Sequence, residues 1–167
     1  MEVAEFAPPG PSSAWYAASS SISSDGSGAE GGELVCFSFF CGSDAASNCT
    51  ATALQARVII ASMVTGNILN DYFTPVNDKL QTNANVKMDG DVCGVALWGD
   101  RDDVPTAVAL RAGSAAPLLE YVTPGSMNAV DVVVDSDGVY MSVAGRHIPA
   151  NVMGMGGDAY TFKFSLS

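Results

Sequence analysis

The sequence predicts an all-β protein, and three observations support that prediction. Seventeen of the 167 residues are glycine, and Ser, Thr, Val and Ala are abundant while Lys and Glu are few, which favours strands joined by frequent turns. The dipeptide Asp-Gly recurs between apolar runs, at residues 25–26, 89–90 and 137–138. It is a strong hairpin signal because both residues tolerate positive φ. No stretch has the pattern of a substantial helix, since the Ala-rich segments are interrupted by Gly, Ser and Pro.

The same order of features occurs three times along the chain. Each copy has an apolar or aromatic run that ends in Pro, a strand-like run, an Asp-Gly turn and a second apolar strand. The runs that end in Pro are residues 5–8, 71–75 and 120–124. The second apolar strands are residues 35–42, 92–99 and 140–145, and the first two of these align without a gap. A further strand follows in each copy, at residues 56–64, 106–111 and 159–164.

Four short strands in about 40–50 residues is the length of one β-propeller blade. We therefore predict four-stranded antiparallel sheets that stack as about three blades and form an incomplete ring. Residues 1–8 would be the last strand of a preceding blade or a closing strand that completes the third blade. The first blade, with a long loop, would take residues 9–75, the second 76–124, and the third, without its outer strand, 125–167. Such a chain would be a fragment of a longer protein or would self-associate to complete a ring.

The third copy resembles a known repeat family. Residues 130–140 read Val-Asp-Val-Val-Val-Asp-Ser-Asp-Gly-Val-Tyr, and residues 156–163 read Gly-Gly-Asp-Ala-Tyr-Thr-Phe-Lys. Both stretches are similar to the repeats of bacterial-type, seven-bladed β-propellers, and the similarity extends over about residues 104–164. The resemblance implies a propeller scaffold without an established chemistry. It also implies an extracellular or cell-surface location.

Charge and hydropathy exclude several classes of partner. Eighteen Asp and Glu stand against seven Lys and Arg, which gives a net charge of −11. Nucleic acids and anionic membranes both need clustered cations, so we expect no nucleic-acid partner. We also expect no membrane insertion, since the longest apolar stretch, residues 58–64, is under half of the roughly 20 residues that a membrane helix needs. The N-terminus lacks the basic and apolar regions of a signal peptide.

The loops between the second and third strands of each copy are the candidate binding elements. They vary in length while the strands do not. Binding residues commonly lie on such loops, because a rigid scaffold holds the loops in place. The ligand-facing candidates are Asp100, Arg101, Asp102, Asp103, Arg146, His147 and Asn151. The alternative interpretation is that these residues are ordinary solvated loop tips.

The four cysteines suggest two roles. Cys36 and Cys93 fall at equivalent positions of the gap-free alignment, and Met141 occupies that position in the third copy. This pattern predicts small packing residues with free, buried thiols. Cys41 and Cys49 flank the longest of the loops, which makes them the candidate disulfide if the compartment is oxidising.

Neither a metal site nor a catalytic site is predicted. The acidic pairs at residues 89–91 and 135–137 lack the full Asp-x-Asp-x-Asp-Gly pattern, which leaves calcium as the one cofactor considered and hairpin turns as the preferred interpretation. A triad of Ser142, His147 and Asp100 can be drawn, but no nucleophile elbow surrounds it. The sequence therefore favours a non-enzymatic module that binds a protein or a glycan, or serves as a scaffold, and we expect it to be part of a larger protein. The alternative is a fragment of a propeller hydrolase or quinone-type oxidoreductase whose catalytic residues lie partly in missing blades.

Overall fold

Antiparallel strands account for the regular structure of the chain. The computed structural model describes residues 15–23, 33–41, 55–75, 84–99, 105–122, 126–135, 140–148 and 158–166. Within these ranges there are eleven strands, no helix, and only antiparallel pairings. The predicted all-β fold of antiparallel sheets is therefore confirmed. Since these ranges hold no helix, they also hold none that could cross a bilayer.

The strands form three meanders in which consecutive strands are hydrogen-bonded. The first meander consists of β1 (Trp15–Ser23), β2 (Leu34–Cys41), β3 (Ala56–Ser62) and β4 (Ile68–Phe73). The second consists of β5 (Ala84–Asp89), β6 (Val92–Gly99), β7 (Ala107–Arg111) and β8 (Leu119–Tyr121). The third consists of β9 (Ser126–Asp135), β10 (Tyr140–Ile148) and β11 (Asp158–Ser165). At one end β9 also pairs with β6, so the second and third meanders share one continuous sheet.

The second meander is buried on both faces of β6 and β7. Val95 and Leu110 belong to a cluster that joins it to the first meander. Ala96 and Ala109, one position away on the same two strands, belong to a cluster that joins it to the third meander. All four residues are completely buried. Because successive side chains of a strand point to opposite faces, a sheet covered on both sides needs apolar residues at every position, as residues 92–97 show.

The structure aligns the first two meanders differently from the gap-free sequence alignment: equivalent positions of β2 and β6 are shifted by one residue. At the same point of each meander, the Met63 N–H donates to the Glu33 carbonyl and the Ala112 N–H donates to the Asp91 carbonyl. Glu33 and Asp91 are therefore equivalent, and the next residues follow in step, so that Cys36 corresponds to Gly94. A shift of one residue moves a side chain to the opposite face of its sheet. Cys36 and Cys93 consequently lie on opposite faces of equivalent strands.

Cys36 and Cys93 form a disulfide, so the prediction that they are free thiols is wrong. The two side chains meet between the first and second meanders, with Cα atoms 6.3 Å apart, because the one-residue offset turns them toward each other. The bridge connects β2 to β6, and both cysteines are 0% exposed. The predicted bridge between Cys41 and Cys49 lies outside the described residues, since this holds for all of Cys49 and for the Cys41 side chain.

Gly94 lies at a close contact between the second and third meanders. A Cβ atom at this position would overlap Val134 Cγ2. It would also lie 3.0 Å from both the Met141 sulfur and Val132 Cγ2. Met141 therefore reaches Gly94 as Cys93 reaches Cys36, and this makes Met141 the equivalent of Cys93 in the third meander.

We expect the Cys36→Ala, Cys93→Ala double variant to lose about 4 kcal/mol of unfolding free energy, because a bridge spanning some 57 residues restricts the unfolded chain. Urea denaturation of the oxidised wild type and of the variant measures this loss. Alkylation of the unreduced protein in denaturant, followed by peptide mapping, should leave Cys36 and Cys93 unlabelled. A labelled thiol at either position would contradict the bridge.

Gly94→Ala should destabilise the protein by about 1–3 kcal/mol, since the added methyl group overpacks the interface. Chemical denaturation provides the measurement. Adding Val134→Ala makes room for the methyl group, so the double variant should be more stable than the sum of the two single effects predicts. Strict additivity would show that the two residues do not touch.

Candidate functional site

β10 extends into the segment that the sequence assigns to a loop. This strand continues to Ile148, so Arg146 and His147 are strand residues at its end. Their backbones pair with Asn128 and Met127 of β9. The strand therefore continues beyond residue 145, where the sequence predicts the start of a loop.

The start of β9 brings two of the predicted binding segments to one place. Met127 pairs with Gly99 of β6 on one side and with His147 of β10 on the other. Neighbouring strands lie about 4.8 Å apart, so the backbones of Gly99 and His147 are about 10 Å apart. Both strands end here and run in the same direction, because each is antiparallel to β9. We call this place the β6–β9–β10 rim and define it by residues 98–99, 127–128 and 146–147.

Part of the candidate set lies outside the described residues. This holds for Asp100, Arg101, Asp102, Asp103 and Asn151, and for the side chains of Arg146 and His147. The segment with the four charged residues starts directly after Gly99 in the sequence. The described backbone therefore brings the end of β10 to the point from which that segment departs.

The acidic pair at residues 89–91 lies at a turn. Asp89 and Asp91 flank Gly90, whose φ of 54° closes the tight turn between β5 and β6. Asp91 Oδ2 also lies 3.3 Å from the Nε atom of Arg111. Within the described ranges, no three His, Cys, Asp or Glu side chains gather in a way that could hold a metal ion.

Sequence reasoning missed an ion pair on the first meander, in which the arginine is buried and the aspartate is partly exposed. Arg57 of β3 donates from Nε and Nη2 to the two carboxylate oxygens of Asp71 on β4, at 2.7 Å each. The Arg57 side chain is only 3% exposed, and its guanidinium lies 5.0 Å from the centre of the Phe73 ring. A two-point contact of this kind fixes both side chains, so the pair holds the β3–β4 edge in register. Asp71 belongs to the repeated run that ends in Pro75. This repeat is the sequence signal that could have marked Asp71 as a structural residue.

A second set of polar contacts links the outer parts of the first two meanders. The Tyr72 hydroxyl of β4 donates to Glu120 Oε1 of β8 at 2.6 Å. The Asn70 side-chain amide donates to the carbonyl oxygens of Arg111 and Ser114, at 3.0 and 2.7 Å. Both amide hydrogens of Asn70 are thus used within the protein.

An open groove of about 390 Å³ lies beside these contacts, and its lining residues are Ile68, Leu69, Asn70, Asp71, Gly113, Ser114 and Ala115. Asn70 is committed to the backbone of the second meander, and Asp71 is committed to Arg57. The Gly113 N–H likewise donates to the Leu69 carbonyl. These polar groups of the groove are therefore bonded within the protein: Asn70 and Gly113 connect the two meanders, and Asp71 bonds within the first.

The Tyr72 hydroxyl holds its proton more tightly than a free tyrosine. Burial raises its pKa well above the usual value near 10, and the hydrogen bond and negative charge of Glu120 raise the pKa further. The folded protein therefore keeps this proton at a pH where the unfolded chain has released it. The stability that Tyr72 contributes is fully present below about pH 10 and is lost as the pH rises above that value.

Tyr72→Phe should lower the unfolding free energy by about 1 kcal/mol at pH 8, because the bond to Glu120 is lost. The difference between the wild type and this variant should shrink as the pH rises to 11, since ionisation in the unfolded chain then penalises only the wild type. Urea denaturation at both pH values measures the change. Tyr140→Phe, which removes an exposed hydroxyl on β10, is the control. A difference in unfolding free energy that stays constant between pH 8 and 11 would contradict the raised pKa of Tyr72.

Comparisons with known proteins assign no relative to this chain. No protein-family model, no curated protein and no solved structure matches it. The similarity to propeller repeats consequently stays a prediction from the sequence. The structure itself shows stacked antiparallel meanders, and its described residues contain no helix.

Proposed function

We propose that the chain is a non-enzymatic β-propeller-type module whose β6–β9–β10 rim binds a protein or glycan partner. The observation that carries the proposal is the pairing of Met127 with both Gly99 and His147. This pairing gathers residues of two repeats at one end of a continuous sheet. Binding residues of repeat proteins commonly lie at such an end, where several repeats contribute side chains.

The residue types at the rim suit a polar ligand. Arg146 and His147 supply hydrogen-bond donors, and the segment that starts at Asp100 adds three carboxylates, which are acceptors. Hydroxyl groups of a sugar and amide groups of a peptide can bind to both kinds of group. The net charge of −11 disfavours a strongly anionic ligand.

The scaffold supports the rim in two ways. The second and third meanders share one sheet, so the two strand ends at the rim are held by backbone hydrogen bonds. The disulfide between Cys36 and Cys93 ties that sheet to the first meander. Disulfides persist in oxidising compartments, and this supports an extracellular or cell-surface location for the module.

The test is binding of the purified chain to an array of neutral and acidic glycans and to a phage-displayed peptide library. For any ligand selected, we expect Arg146→Ala and His147→Ala to weaken binding by about tenfold or more, as loss of a charge-assisted hydrogen bond does. Arg111→Ala is the matched control, because Arg111 pairs with Val92 at the opposite end of β6. Selection of no ligand, or equal effects of Arg146→Ala and Arg111→Ala, would contradict the proposal.

A further inference from the structure

We infer that the outer edge of β4 is a docking site for an extended, basic peptide segment of a partner protein, which adds a strand to the first meander. This surface belongs to the first meander and is therefore separate from the β6–β9–β10 rim. β4 is the last strand of its sheet in the described strand order, where it pairs with β3 alone. The edge strand of a sheet presents a row of backbone groups to which an extended peptide can bind.

The hydrogen bonds between β3 and β4 show which backbone groups face this edge. The Thr74 N–H donates to the Ala56 carbonyl, at the position next to the pair of Arg57 and Phe73. Residues of antiparallel neighbours alternate between pairs that exchange backbone hydrogen bonds and pairs that do not. The backbone N–H and C=O groups of Phe73 and Asp71 therefore point away from β3, toward the outer edge.

The backbone of Asp71 is accessible at this edge. Asp71 is an exposed residue, and no hydrogen bond joins its outward N–H or C=O to another described residue. Farther along the same edge, the Leu69 carbonyl accepts the Gly113 N–H, so this side of β4 already binds one backbone donor. A peptide residue opposite Asp71 can therefore exchange two backbone hydrogen bonds with it.

The open groove of about 390 Å³ adjoins this edge. Residues 68–71 of β4 form one wall, and residues 113–115, between β7 and β8, form the other. The groove gives a peptide strand room beside Asp71, and residues 113–115 limit how far that strand extends along β4. Toward the other end of the edge, Phe73 is 40% exposed and offers apolar surface to a peptide side chain.

Charge favours a basic segment over a second copy of this chain. The Asp71 side chain is 34% exposed, whereas its partner Arg57 is buried. Glu120 of β8 adds a second carboxylate beside β4, where it accepts a hydrogen bond from that strand, and Arg111 is paired with Asp91. The net charge of −11 attracts cationic partners. An acid on an edge strand also discourages pairing of that strand with its own copy.

The geometry of a strand defines the matching segment. Side chains on one face of a strand are two positions apart, so the peptide residues opposite Phe73 and Asp71 are separated by one residue. An apolar residue opposite Phe73 and a Lys opposite Asp71 make favourable cross-strand pairs. In a peptide that runs antiparallel to β4, the apolar residue comes first. The probe is therefore the pentapeptide Thr-Ile-Thr-Lys-Thr, with a fluorescein label at its N-terminus and an amide at its C-terminus.

Fluorescence anisotropy of this probe, titrated with the full chain, tests the docking site. Methylation of the backbone nitrogen of the probe's Lys should weaken binding about tenfold or more, because this N–H donates to the Asp71 carbonyl. Methylation of the backbone nitrogen of the central Thr is the matched control and should stay within about twofold, because that N–H points away from β4. No anisotropy change at about 1 mM protein, or equal effects of the two methylations, would overturn the inference.

Replacement of the probe's Lys by Glu tests the charge preference. The substitution places a second acid opposite Asp71, so binding should weaken about fivefold or more. The reference is the probe with Gln at this position, which should bind with intermediate affinity. Equal affinity of the Lys and Glu probes would overturn the preference for a basic segment.

A photo-cross-link tests where the probe lies. A diazirine analogue of Leu in place of the probe's Ile should label residues 70–75, which peptide mapping identifies. Labelling of the β6–β9–β10 rim instead of residues 70–75 would overturn the inference. Light scattering of the chain without the probe supplies the last test, because a dimer that the probe dissociates would show that a second copy occupies this edge.

Discussion

The second meander is packed on both faces of β6 and β7, and the arrangement of the other two meanders follows from this constraint. Its even and odd positions are packed against different neighbours, so a shift of one residue in β6 would misplace the side chains of both interfaces together. Small residues on one face, with Gly94 at the centre, admit Val132, Val134 and Met141 from the third meander. Larger residues on the other face fill the contact with the first meander. The residues on the two faces of β6 and β7 therefore determine the order in which the three meanders stack.

Much of the fold could be predicted because its signals are local. The Asp-Gly dipeptide at residues 89–90 marks the turn that Gly90 makes with positive φ, and the apolar runs around it are the strands β5 and β6. The pairing of Cys36 with Cys93 could not be predicted in this way. Both copies read Val-Cys, which suggests a gap-free alignment. Odd and even positions of these strands are both apolar, so the sequence has no alternation of apolar and polar residues that could fix the register.

The candidate site was predictable only as a set of loops. Polar residues and the glycine at position 145 gave residues 145–157 the composition of a loop, yet β10 continues through Arg146 and His147. Hydrogen bonding to β9 and β11 on either side outweighs that composition. The approach of β6 to the start of β9 is a contact between separate meanders, and a single sequence carries no signal for it. The acid-Tyr pairs at residues 71–72 and 120–121 are visible in the sequence, but nothing in them predicts that Tyr72 of one copy donates to Glu120 of the next.

The bridge between Cys36 and Cys93 is closed to solvent on every side. A reducing agent must bring a thiolate in line with one of the two sulfur atoms, and the intact interface leaves no path for that approach. Reduction of the native protein therefore has to wait until the first and second meanders separate. At a saturating concentration of dithiothreitol, the rate of reduction then equals the rate at which this interface opens.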